Sequence, residues 1–223
     1  MSTELLPCIE LEPKTGAATA SVVWLHGLGA DGNDFVPIVP MLGLGDAPIR
    51  FVFPHAPSIP VTVNGGMVMP AWYDILGIEL SRELDVAGIE RSSAQLEALL
   101  EREQERGIEP QRIIIAGFSQ GGVIALHRAL RRPEPPAGVV ALSTYLAPEE
   151  GLEPAAPERR LSIFQAHGTL DPLVLCERGE KAREALAGLG HDVSWHEYPM
   201  EHQVCAEEIE ALGGWIAGRL GLS

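Results

Sequence analysis

Short apolar runs alternate along the chain with stretches whose apolar positions recur at helical spacing, a pattern that marks βαβ units and a mostly parallel sheet. Residues 21–25 (SVVWL) read as a buried strand. Residues 49–53 (IRFVF), 112–116 (RIIIA), 138–142 (GVVAL), 161–166 (LSIFQA) and 193–198 (VSWHEY) read as further strands, each bounded by Gly, Pro or polar residues. Residues 89–106 place Leu96, Leu99 and Leu100 on one face with charges elsewhere, as a helix packed on a sheet requires, and 121–131, 176–189 and 204–220 also suit helices. Two stretches carry neither period: 54–84, rich in Pro, Gly and single aromatics, and 145–160, dominated by Pro and acids. The fold class expected is α/β, a mostly parallel central sheet flanked by helices, in a single domain over residues 1–223.

The pattern also locates a candidate chemistry. Gly117-Phe118-Ser119-Gln120-Gly121 stands directly after one expected strand and directly before one expected helix, the context in which G-x-S-x-G forms a sharp turn that exposes a nucleophilic serine. The helix that follows aims free N–H groups at the serine, where negative charge would develop. His26-Gly27-Leu28-Gly29-Ala30 follows the first strand and reads as an oxyanion loop, with one amide from Leu28 and the other from Gln120. Of the seven histidines, His202 has the position a general base needs, between the last strand and the last helix. His196 lies inside a strand and His127 inside a helix, where structural roles fit better. Asp171 follows the penultimate strand and is the carboxylate expected to hold the imidazole's tautomer; its rival Asp192 reads as a turn residue.

Composition narrows the partners. With 31 acidic and 16 basic side chains the formal net charge is −15, which repels nucleic acid and anionic lipid surfaces; the same charge also serves simply to keep a surface solvated. Three cysteines without C-x-x-C spacing suit inert thiols better than a disulfide framework or a zinc site. No apolar run reaches membrane-spanning length and MSTELLPCIE lacks a basic-then-apolar leader, so a cytoplasmic protein without stable membrane insertion is expected.

Taken together, the residues resemble the small carboxylesterases and acyl-protein thioesterases, the phospholipase/carboxylesterase family of α/β-hydrolases. The resemblance spans nearly the whole chain and rests on WLHGLGADGNDF (24–35), FPHAP (53–57), AWYDI (71–75), GFSQGG (117–122), HGTLDPLV (167–174) and YPMEHQV (198–204). It implies a hydrolase without a large cap domain, using neither metal nor organic cofactor, with a shallow site for short or medium acyl esters. In some members the substrates are thioesters of acylated proteins, and a lysophospholipase activity belongs to the same reading. The apolar loop 59–70, hinged at Gly65-Gly66, is expected to line an acyl pocket through Met67 and Val68 together with Trp72. One departure is Glu201, where the family usually has glycine before the catalytic histidine; a carboxylate there either raises the imidazole's pKa or points into water. A non-catalytic binding protein on the same fold stays open as an alternative, as do a peptidase or a lyase. Exposed apolar residues in the long loops leave room for a homodimer.

Overall fold

The computed structural model describes residues 5–77 and 84–222; part of the stretch expected to be irregular, 78–83, lies outside the described residues. In chain order the elements are β1 (Cys8–Leu11), β2 (Ala20–Leu25), β3 (Ile49–Pro54), β4 (Ser58–Val61), β5 (Met67–Pro70), α1 (Val86–Glu105), β6 (Ile113–Phe118), α2 (Gln120–Arg131), β7 (Gly138–Leu142), β8 (Ser162–Gly168), α3 (Cys176–Gly188), β9 (Asp192–Tyr198) and α4 (Ala206–Leu220). Seven strands form one sheet in the order β1-β3-β2-β6-β7-β8-β9, and only β1 runs antiparallel to its neighbour. Every residue of β2, β3 and β7 is buried, because helices cover both faces of the sheet and leave no polar side.

The two-residue period of a strand divides the core. Along β2, Val23 and Leu25 enter the cluster built with Leu96, Leu99 and Leu100 of α1 and Ile124 of α2. Ala20, Val22 and Trp24 enter the opposite cluster with Ile209, Leu212 and Ile216 of α4. Helix α1 starts at Val86 rather than near residue 89, because Asp85 caps it by accepting from the Gly88 N–H at 2.8 Å.

Two elements differ from the sequence expectation. β1 (CIEL) is too short to show a period; it ladders along β3, its apolar residues pack on the core, and charge ties its end to α1. Arg50 pairs with Glu12 at 2.7 Å and with the fully buried Glu103 at 2.8 Å, while Arg106 bridges Glu103 and Glu10. The stretch expected to be irregular contains the antiparallel hairpin β4–β5, whose register pairs Ser58 with Pro70 and Val61 with Met67. The 145–160 stretch does lack helix and strand apart from a 3-10 turn at Pro157–Arg159.

The carboxyl ends of β2, β6, β8 and β9 lead directly into the four segments singled out for chemistry. In an open parallel sheet this edge is where ligands bind.

Candidate active site

Ser119 sits between β6 and α2 with φ 53° and ψ −120°, a left-handed conformation that an L-residue adopts only when its surroundings force it. Hydrogen bonds to its main chain hold it there. Its N–H donates to the Leu142 carbonyl at 2.9 Å, and its carbonyl accepts from the Thr144 hydroxyl at 2.7 Å and the Gly122 N–H at 3.0 Å. The glycines of the turn are required by close approach. A Cβ on Gly117 would lie 2.3 Å from the Gly121 carbonyl oxygen, and one on Gly121 would lie 2.5 Å from that of Leu25.

The structure brings Ser119, His202 and Asp171 together. His202 Nε2 is 2.8 Å from Ser119 Oγ, and His202 Nδ1 is 2.6 Å from Asp171 Oδ2. The other carboxylate oxygen, Oδ1, accepts from the Leu173 and Val174 N–H groups at 2.9 Å each, so the buried Asp171 is fixed by its own loop. An ionised carboxylate only accepts, so Nδ1 carries the proton of the neutral ring and Nε2 is left to accept from the serine hydroxyl. Phe118 packs on the imidazole with ring centroids 4.8 Å apart. His167 lies beside the carboxylate with Nε2 3.6 Å from Asp171 Oδ2, but donates to the Val174 carbonyl at 2.7 Å; burial pushes its pKa down and keeps it neutral.

The loop carrying Leu28 is fastened on both sides. His26 Nε2 accepts from the Ala56 N–H at 3.1 Å, which places the ring proton on Nδ1, 2.7 Å from the Gly27 carbonyl. Burial keeps this ring neutral as well. Trp72 donates its indole N–H to the His26 carbonyl at 2.8 Å, and the Gly29 N–H donates to Pro70 at 2.8 Å. Neither the Leu28 nor the Gln120 N–H donates to a protein acceptor among the described residues. Both amides therefore remain available to an oxygen bound at Ser119.

Two side chains do something the sequence did not disclose. The Gln120 amide accepts from the Trp72 N–H at 2.8 Å and donates to the Tyr73 carbonyl at 2.6 Å, clamping the 71–73 segment to the start of α2. Trp72 is only 2% exposed and packs on His26, so it supports the loop from within instead of facing an open pocket. Met67 and Val68 begin β5 and are both exposed, as are Leu170, Leu173 and Leu175 around Asp171. No signal short of knowing that 170–175 is a surface loop beside the serine could have selected those leucines. Gly65 and Gly66 both have positive φ at the hairpin's turn. Glu201 is exposed, the solvated one of its two expected placements. Among the described residues, one group with metal-ligand spacing is Cys176, Glu180 and Glu197, and none of the three belongs to the Ser119 centre.

A family model described as Phospholipase/Carboxylesterase matches residues 6–218. Acyl-protein thioesterase 1 of Neurospora crassa is 38% identical over 94% of this chain and 91% of its own, and that of Gibberella zeae is 35% identical over 93% and 94%. Among solved structures, acyl-protein thioesterase 2 of Zea mays superposes with a TM-score of 0.83 at 28% identity, covering 96% of this chain and 99% of the other.

Proposed function

The chain belongs to the phospholipase/carboxylesterase family of α/β-hydrolases, and from that premise we propose that it cleaves short to medium acyl esters through an acyl-enzyme on Ser119. The observation that carries the reading is the continuous hydrogen-bonded line Ser119–His202–Asp171, at 2.8 and 2.6 Å. Ser119 Oγ attacks the acyl carbonyl while His202 Nε2 takes the hydroxyl proton, and Asp171 stabilises the imidazolium that results. The Leu28 and Gln120 amides hold the developing oxyanion, a contact worth roughly 3 to 4 kcal/mol per donor in comparable sites. His202 then returns the proton to the leaving alcohol or thiol. In the second half, His202 draws a proton from water as the water oxygen attacks the acyl-serine, then returns it to Ser119 Oγ as the acid leaves.

Thioesters of acylated proteins are the second substrate reading. It is favoured by the relatives, which are named acyl-protein thioesterases, and by the exposed Met67, Val68, Leu170, Leu173 and Leu175, which give a longer acyl chain an apolar surface. Three free thiols, Cys8, Cys176 and Cys205, suit the reducing cytoplasm. No described helix is long and apolar enough to cross a membrane. A homodimer rests on the same exposed side chains and is decided by light scattering on the purified chain.

The test is hydrolysis of p-nitrophenyl esters from acetate to palmitate, and of acyl-peptide thioesters, by the protein and by Ser119→Ala, with fluorophosphonate labelling mapped by mass spectrometry. Label on Ser119 and activity lost in the variant are expected. An unlabelled, inactive protein would return the chain to the binding-protein alternative.

A further inference from the structure

Away from the catalytic edge, the carboxyl end of α2, the 149–160 excursion and the turn before β9 enclose a cleft of about 290 Å³. Arg131, Arg132, Arg159 and His191 line it, with Glu153 as the one acidic side chain. The α2 helix runs twelve residues from the serine turn to Arg131, so the cleft lies about 18 Å along its axis from the reaction centre.

In a chain of net charge −15, carboxylates are in excess and many guanidiniums pair with one. Arg128 and Arg132 do, sharing Glu97 at 3.1 and 2.6 Å. Arg131 and Arg159 do not, among the described residues. Arg131 reaches only the carbonyls of His127, Pro148 and Glu150, at 3.2 to 3.4 Å, and Arg159 only that of Arg132 at 2.7 Å. Burial and neighbouring guanidiniums act on three groups at or beside this end of α2. Burial first, and then Arg131 and Arg128, push the His127 pKa down to about 4. Burial and Arg128 lower that of Arg131, with Glu90 opposing them from a distance, and burial and Arg160 lower that of His191. A hollow in which two guanidiniums, Arg131 and Arg159, make no ion pair among the described residues is, in an acidic protein, the complement of a small anion.

We propose that this cleft binds a phosphate group, held between the Arg131 and Arg159 guanidiniums beside His191. Guanidinium forks suit the several oxygens of a phosphate, and two cations match its double charge. His191 Nδ1 accepts from the Leu161 N–H at 3.2 Å, which leaves Nε2 as the ring's donor. Leu152 and Leu189 add apolar lining, so a phosphate monoester with an apolar substituent gains a contact that inorganic phosphate lacks. The cleft is concave and small, and the chain's overall charge repels extended polyanions, so a nucleic acid or an anionic membrane is not its ligand.

The experiment titrates the protein with inorganic phosphate and with phenyl phosphate at constant ionic strength, chloride being the control. It follows the His191 Cε1–H resonance by NMR, assigned through His191→Gln. A bound dianion favours the imidazolium, so the midpoint of the His191 titration rises with either probe, saturably. Phenyl phosphate saturates at the lower concentration if an ester is the natural source, and inorganic phosphate does if the free ion is. Arg159→Gln is exposed and outside the catalytic machinery; it keeps esterase turnover and weakens binding at least several-fold. A His191 midpoint that neither probe moves more than chloride overturns the proposal. So does a shift that survives Arg159→Gln at unchanged affinity.

Discussion

Asp171 spends one oxygen on its own loop and one on His202, so the carboxylate fixes both the position of the imidazole and the nitrogen that carries its proton. Asp171→Asn keeps the shape but offers Nδ1 a donor where it now meets an acceptor, turning the ring to the wrong tautomer. A fall in kcat of about 10³ to 10⁴ with a nearly unchanged Tm is the expected outcome. Steady-state kinetics and calorimetry on one preparation separate this from a folding defect. Gly121 fails in the opposite way. Gly121→Ala drives a methyl against the Leu25 and His26 carbonyls, which belong to backbone and cannot swing aside, so about 1–3 kcal/mol of stability is lost in a denaturant titration. At Gln120, the side chain and the main chain have separate duties. Gln120→Ala removes the clamp on Trp72 and Tyr73 while keeping the amide, so a kcat loss smaller than that of Asp171→Asn is expected.

Among the elements, those that bring Ser119, Asp171 and His202 together are the ones the sequence disclosed. The central strands are continuous apolar runs because both faces are covered, and the elbow lies between a strand and a helix whose periods are plain. Chain order then ranked the histidines, and the structure sets His202 against Ser119. β1 escaped because it is only four residues long, and its ladder to β3 and the ion pairs of Glu10 and Glu12 with residues 38 to 96 positions away leave no local period. The β4–β5 hairpin escaped because Pro60 and Pro70 argue against a strand unless it is short and paired on one side. Trp72 read as a pocket wall because its bond to His26, 46 positions away, is equally invisible in one dimension. The β1 attachment can be broken selectively. Arg50→Met strands the buried Glu103 carboxylate beside fewer cations and destabilises the fold by about 3–5 kcal/mol, with hydrogen exchange fastest in residues 8–11.

For the molecule as a whole, one buried acid sets a dependence on pH. Glu208 of α4 is fully buried with neither carboxylate oxygen hydrogen-bonded, and desolvation raises its pKa from 4.5 to about 8. Because the folded form holds this proton more tightly than the unfolded chain does, the term is neutral below pH 4.5. It lowers stability steadily as pH rises toward about 8, and is constant above. Glu208→Gln should therefore raise Tm more at pH 8 than at pH 5; an equal change at both would show that the folded chain does not raise this pKa. The parallel sheet has a further consequence, in the order of synthesis. Leu28, Ser119, Asp171 and His202 follow four different strands, and His202 follows β9, which must pair along β8 before the ring can meet Ser119. On the proposed mechanism, a chain still emerging from the ribosome holds Ser119 without its base until almost its last element is made, and esters around it are safe from a half-built enzyme.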